Sequence, residues 1–337
     1  DERFRPVNLY NGPDGALYVV DMYRGIIQHR IFVTTYLRNQ IIERGLESPI
    51  GMGRIYRIVP EGAPSLRVPK LAEATREELV AALEHENGWG RETAQRVLVE
   101  RADTQAASLL RTMVRTSRSA LARLHALWTL EGLDALDWDS VAHALRDPEV
   151  RVAVAGAQLA EKFLAQDARR ALAALKARAA WTELAFQQQL ALSLGAAPAR
   201  EADELLANLA VTVGDRPYMA DAIASSVAGR ELDMFLRLLR SPPGSRPEIA
   251  PVLVSLGAAV LQSGRAADID RLLAQLSDTQ EWLNDVILSA IERFIPGSPG
   301  RQRVAFLPKA PKTLIAFAKG ASKHAPRARA ALEYLRW

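Results

Sequence analysis

Asp21, Tyr23, Arg24 and His29 crowd a carboxylate, a phenol, a guanidinium and an imidazole into nine residues, and they are the strongest candidates for chemistry in this sequence. The planar fork of Arg24 matches a carboxylate through two parallel hydrogen bonds. His29 can serve as a general base if its pKa sits near neutrality. The same residues have a purely structural reading. In that reading Asp21 and Arg24 tie down a turn after a strand, and His29 packs beneath the connection that follows.

Other stretches start motifs without finishing them. His85-Glu86 opens like a zinc-protease helix, but Trp89 stands where the second His belongs, so the segment reads as a turn between helices. Gly51-Met52-Gly53 begins like a dinucleotide fingerprint, lacks the third Gly and enters a strand instead of a helix, so it reads as a loop. No phosphate-binding GxxxxGK occurs. Of the five His, only His125 and His143 lie within one repeat of each other, so no metal cluster is expected. The chain has no Cys, which excludes disulfides, thiolate metal sites, iron–sulfur clusters, a catalytic thiol and covalent haem within it.

The elements that must position the four candidates are β-like. Pro6–Tyr10 and Ala16–Asp21 flank the turn cluster Asn11-Gly12-Pro13-Asp14-Gly15, a strong hairpin signal because Asp-Gly tolerates positive φ. A third run, Gly53–Val59, alternates polar and apolar residues and stops at Pro60. Between them Ile41–Leu46 lies in a long connection, expected to be partly helical. Three short strands cannot bury two sheet faces, so residues 1–60 are expected to be the end of a larger β domain. Residues 61–74 read as a linker.

From Thr75 the apolar period becomes helical and remains so, with no β run expected after Pro60. Thr75-Arg76-Glu77-Glu78 is a capping box, and Leu79 and Leu83 supply the apolar stripe. Asp147-Pro148, Ala197-Pro198 and Arg216-Pro217 mark further helix starts. Arg91, Arg123 and Arg151 recur at spacings of 32 and 28 residues, about one pair of short helices. Such units must stack to bury their faces, so residues 75–337 are predicted to form an α-solenoid, with Phe186–Leu192 and Ala220–Ser226 as second helices of later units. The three arginines are expected to cap or bridge neighbouring helices. His125 and Trp128, at i and i+3, are expected to serve packing between repeats, with Trp128 in the core and His125 hydrogen-bonded; a binding spot on a concave face is the alternative.

Composition fits an ordinary globular protein: 49% of the 337 residues are hydrophobic and 24% charged. The formal charge of +4 is unevenly spread. Residues 299–337 carry nine Lys or Arg against Glu333 alone, a balance of +8 that leaves −4 on the rest. An acidic body argues against a nucleic-acid partner, since a DNA-binding solenoid needs a continuous basic face. The run from Pro311 to Lys323 is amphipathic and basic, suited to a solvated face or to weak contact with an anionic lipid or acidic partner. The first residue is Asp and no apolar leader follows, so the chain reads as a fragment or processed product.

The phrases Pro6–His29 and Gly53–Ile58, together with Arg123–Leu133 and Ser225–Leu232, resemble the large bacterial membrane-associated dehydrogenase-type proteins. The propeller of that family is similar to that of soluble quinoprotein sugar dehydrogenases, and HEAT-type helices and commonly a c-type cytochrome domain follow it. The resemblance implies a mostly α chain, in which a HEAT-like α-solenoid is preceded by a short antiparallel β segment, the last blade of a β-propeller. It places Asp21, Tyr23, Arg24 and His29 at the channel mouth, where quinone or substrate binds in similar proteins, without transferring any single ligand or catalytic role. It further implies an extracytoplasmic parent. There, pyrroloquinoline quinone and calcium would sit in the rest of the propeller and haem c in a downstream domain, and the helices would be a docking arm. The fragment alone is expected to be inactive. A non-catalytic scaffold that binds protein or glycan is the competing class.

Overall fold

The computed structural model describes residues 1–62, 68–242, 246–295 and 304–337. Arg301 and Arg303 of the basic segment, and part of the 61–74 linker, lie outside the described residues. The chain is mostly helical with a small antiparallel sheet near its N-terminus, and it divides into two compact units, 1–136 and 137–337. No helix among the described residues is long and apolar enough to cross a membrane.

In the first unit, β1 (Pro6–Asn11), β2 (Leu17–Asp21) and β3 (Arg54–Ile58) form a sheet of order β1-β2-β3. The predicted turn joins β1 to β2, with Gly15 at a φ of 77° and the Gly12 N–H donating to Ala16 O at 2.8 Å. Asp14 pins that turn to the far strand: its carboxylate accepts from Arg57 Nε at 2.6 Å and from the Tyr18 hydroxyl at 3.3 Å. Register places Leu9, Val19 and Tyr56 on one face, with Asn8, Val20 and Ile55 on the other. Large apolar groups stand exposed on both faces. Leu9 is 59%, Ile55 67% and Ile58 52% accessible, far from what a finished sheet shows.

The connection from β2 to β3 contains α1 (Thr35–Glu43), so it is helical earlier than the Ile41–Leu46 expectation. Thr34 begins it, its hydroxyl accepting the Leu37 N–H. Four helices follow: α2 (Arg76–Ala82), α3 (Gly88–Glu100), α4 (Ala107–Thr116) and α5 (Ala120–Gly132). Thr75 and Glu78 form the predicted capping box, and Leu79, Leu83, Leu98, Leu110 and Leu127 are fully buried among these helices. Arginines staple the turns. Arg91 Nη1 donates to His85 O at 2.6 Å, and Arg123 Nη1 donates to Ser117 O at 2.9 Å, each six residues upstream.

The sheet is fastened to these helices by Asn87, which is 6% exposed in the turn between α2 and α3. Its side-chain amide donates to Gly12 O at 2.8 Å and Pro13 O at 3.2 Å. Its oxygen accepts from Asn11 Nδ2 at 2.6 Å and from the Trp89 N–H at 3.1 Å, so one residue caps α3 and grips the hairpin.

The second unit contains α6 (Trp138–Ala144), α7 (Val150–Leu159), α8 (Glu161–Leu164), α9 (Ala168–Arg178), α10 (Leu184–Ser193), α11 (Ala199–Val213), α12 (Met219–Ser226), α13 (Glu231–Leu238), α14 (Arg246–Gln262), α15 (Ala266–Leu273) and α16 (Glu281–Phe294). After these come β4 (Ala305–Phe306), α17 (Lys312–Lys319), α18 (Ala325–Leu332) and β5 (Leu335–Arg336). Packing runs in order: α7 meets α10, α10 meets α12, α12 meets α14, α14 meets α16 and α16 meets α18. Phe186 on α10 and Phe235 on α13 are the largest fully buried side chains. At Gly156 a Cβ would come within 2.8 Å of Leu145 N, so only glycine lets α7 approach the end of α6 so closely.

Three expectations are corrected. β4 and β5 pair in parallel, so strand structure does occur after Pro60; each strand has two residues, too few for a period to show. Arg151 is exposed on α7 and makes no staple like those of Arg91 and Arg123 among the described residues; the arginine that bonds a carbonyl of this turn is Arg178, whose Nη2 donates to Asp147 O at 3.2 Å. The helix after Asp147-Pro148 starts at Val150.

Replacing Asn87 with Ala should cost about 3 kcal/mol of stability, because it strands the Gly12 and Pro13 carbonyls, the Asn11 amide and the Trp89 N–H of α3. Urea unfolding measures that loss, and amide exchange should accelerate selectively at Gly12–Ala16.

Candidate functional site

Asp21 ends β2 and is 1% exposed. Its Oδ1 accepts the N–H groups of Arg5 at 2.7 Å and Tyr23 at 2.9 Å, while Oδ2 accepts Arg54 Nε at 3.1 Å. Removal from water by itself raises the Asp21 pKa. The two backbone donors and the Arg54 guanidinium together outweigh that, and the carboxyl sits below its ordinary value. Tyr23 turns the chain at a φ of 46°, and the Arg54 guanidinium lies 3.7 Å from its ring centroid. Asp21 and Tyr23 therefore belong to a knot that joins all three strands, with Arg54 at its centre.

Arg24 and His29 have a different setting. They line a pocket of about 350 Å³ within the first unit, bounded by the segment after β2, by α1 and by the loop after α1. Gly25 makes the closure possible: a Cβ there would meet Leu46 O at 2.5 Å, so the two segments touch only because the side chain is absent. Arg5 Nη2 donates to Gly25 O at 3.1 Å and holds the segment in place. His29 is exposed at the pocket edge, its Nδ1 accepting weakly from the Ile31 N–H at 3.5 Å and its ring edge-on to Phe32, so it is not packed beneath the connection.

The pocket also contains residues that carried no motif. Arg38 comes from α1, Glu47 from the loop and Gln28 from the segment after Gly25, where its amide donates to Phe32 O at 3.1 Å. Ile26, Val33, Ile41, Leu46 and Ile50 supply an apolar lining. Among the described residues, neither the Arg24 nor the Arg38 guanidinium has a hydrogen-bond or ion-pair partner. The helical period of 35–43 was the one available signal for Arg38, and it says nothing of a pocket.

Of the remaining candidates, His85 lies in the turn between α2 and α3, its Nδ1 accepting the Asn87 N–H at 2.9 Å. His125 is half-buried and contacts Gln95 Oε1 at 2.7 Å; burial lowers its pKa, nearby Arg91 lowers it further, and Glu92 partly opposes both. Trp128 is half-buried beside a shallow groove with Glu92 and Gln95, not in the core as expected. In the C-terminal segment, Lys309 pairs with Asp270, Lys323 with Glu281, and Arg327 with Glu292 and Asp285. Lys312 and Lys319, seven residues apart on one face of α17, stay exposed and without such pairs among the described residues.

Residues 1–62 match the family model described as a domain of unknown function, DUF7133, which covers the β segment, α1 and the pocket. No curated protein matches the chain.

The depressed Asp21 carboxyl fixes a pH dependence. Its contribution is fully present above the unfolded value of about 3.9 and is lost as pH falls through its lower folded value. Asp21→Asn should therefore be less stable than the parent at pH 7 and should lose less on acidification below pH 4. Thermal melts of both proteins from pH 7 to pH 3 measure it; parallel curves would refute the assignment.

Proposed function

We propose that this chain is a piece of a quinoprotein-dehydrogenase-like protein, in which residues 1–60 supply the last blade of a β-propeller and the helices after Thr75 form HEAT-like repeats. The observation that carries the reading is the sheet. Leu9 and Ile58 on one face and Ile55 on the other stand open to water, which a sheet tolerates only when other strands or sheets cover it. The stepwise packing from α7 to α18 supports the repeat reading, since each pair touches chiefly the next. In this reading the protein is extracytoplasmic, and the helices serve as a docking arm for an electron-accepting c-type cytochrome domain, reached through Lys312 and Lys319.

Among the described residues no three acidic or His side chains converge as metal ligands, and both oxygens of Asp21 are already occupied by donors. Pyrroloquinoline quinone and calcium, in this reading, are held by other parts of the propeller. The structural use of Asp21 and Tyr23 favours a second reading, a non-catalytic scaffold that binds protein or glycan.

Reconstituting the full parent protein with the quinone and calcium, then following dye reduction across sugars and alcohols, separates the two. Turnover of any of them supports the dehydrogenase; a flat response supports the scaffold. For the docking arm, the parent's downstream domain added in trans should bind more weakly as salt rises, and the double substitution of Lys312 and Lys319 by Gln should remove most of that salt dependence. Binding that ignores salt would exclude the electrostatic dock.

A further inference from the structure

The pocket beside β2 combines three features that call for one kind of ligand. Two guanidinium groups, Arg24 and Arg38, line it without partners among the described residues. An apolar lining from Ile26, Val33, Ile41 and Ile50 faces the same space. The volume of about 350 Å³ lies at the lower end of the range of small-molecule sites. Cations set around an apolar wall select an anion that carries a hydrocarbon body, because a bare inorganic anion leaves the wall wet and a neutral hydrocarbon leaves the forks unanswered.

We propose that this pocket binds a small aliphatic monocarboxylate, its carboxylate taken by Arg24 and Arg38 and its chain lying against the isoleucines. The inference does not rest on the propeller reading. Glu47 also lines the pocket and opposes an anion, leaving the three formal charges with a net balance of +1. His29 at the edge can add a donor through Nε2, since its Nδ1 accepts from the Ile31 N–H.

Titration of the full chain with hexanoate, followed by NMR or calorimetry, tests the proposal. Hexanoate should bind saturably, and affinity should rise about fourfold per methylene from butanoate upward. Arg24→Gln and Arg38→Gln should each weaken binding about tenfold, the worth of a charge-assisted hydrogen bond. Arg24→Lys should fall between wild type and Arg24→Gln, because it keeps the charge without the fork. Glu47→Gln should tighten binding severalfold. An unchanged thermal melt of each variant shows that the loss belongs to the site and not to the fold. The proposal is overturned if hexanoate does not bind, if hexanol or inorganic phosphate binds as tightly, or if the arginine variants bind like wild type.

Discussion

The N-terminal unit depends on the side-chain amide of Asn87, which ties the hairpin turn of the sheet to the start of α3 by directed bonds. It gives two donors to the hairpin turn at Gly12 and Pro13, and one acceptor shared between Asn11 and the start of α3. In a buried site these bonds are strong and their loss is costly, so the turn has one position relative to α2 and α3. The ion pair of Asp14 with Arg57 carries that constraint across to β3, and the Asp21 knot carries it to the other end of the strands. The pocket wall begins at the residue after the knot, Arg24.

The sheet is thus held precisely in place while much of its surface stays unsatisfied. Ordinarily apolar burial stabilises a sheet and hydrogen bonds only direct it. Here directed bonds hold the turn and the far ends of the strands, and the exposed Leu9, Ile55 and Ile58 represent burial still to be gained. That imbalance motivates the larger β domain in the proposed function. The helical units show the opposite balance, with Leu79, Leu98, Phe186 and Phe235 fully buried and arginine staples closing individual turns.

Charge behaves similarly. The +8 of residues 299–337 suggests a basic surface, but Lys309, Lys323 and Arg327 meet acidic groups of α15, α16 and the α16 face within the same unit. Glu281 is held below its ordinary pKa chiefly by its bond to Lys323. Such exposed pairs add little stability, and they neutralise three of the nine basic residues of that segment. Lys312 and Lys319 on α17, and the guanidinium groups of Arg24 and Arg38 at the pocket, are among the basic groups with no acidic partner among the described residues.

The sequence by itself determined what neighbouring residues decide. The hairpin at Asp14-Gly15, the capping box at Thr75, the helical period beyond it and the turn at His85–Asn87 follow from interactions across one to four positions, and local pattern records them. The two-residue strands β4 and β5 were illegible because so few residues set up no period. Tertiary structure alone decided that Asp21 and Tyr23 go to a strand knot while Arg24 and His29 go to a pocket, although all four lie within nine residues. The reason is that the partners come from far along the chain: Arg54 lies 33 residues from Asp21, and Arg38, Leu46 and Glu47 reach Arg24 only after α1 folds back over the missing side chain of Gly25. Contacts at that separation leave no periodic trace in the sequence.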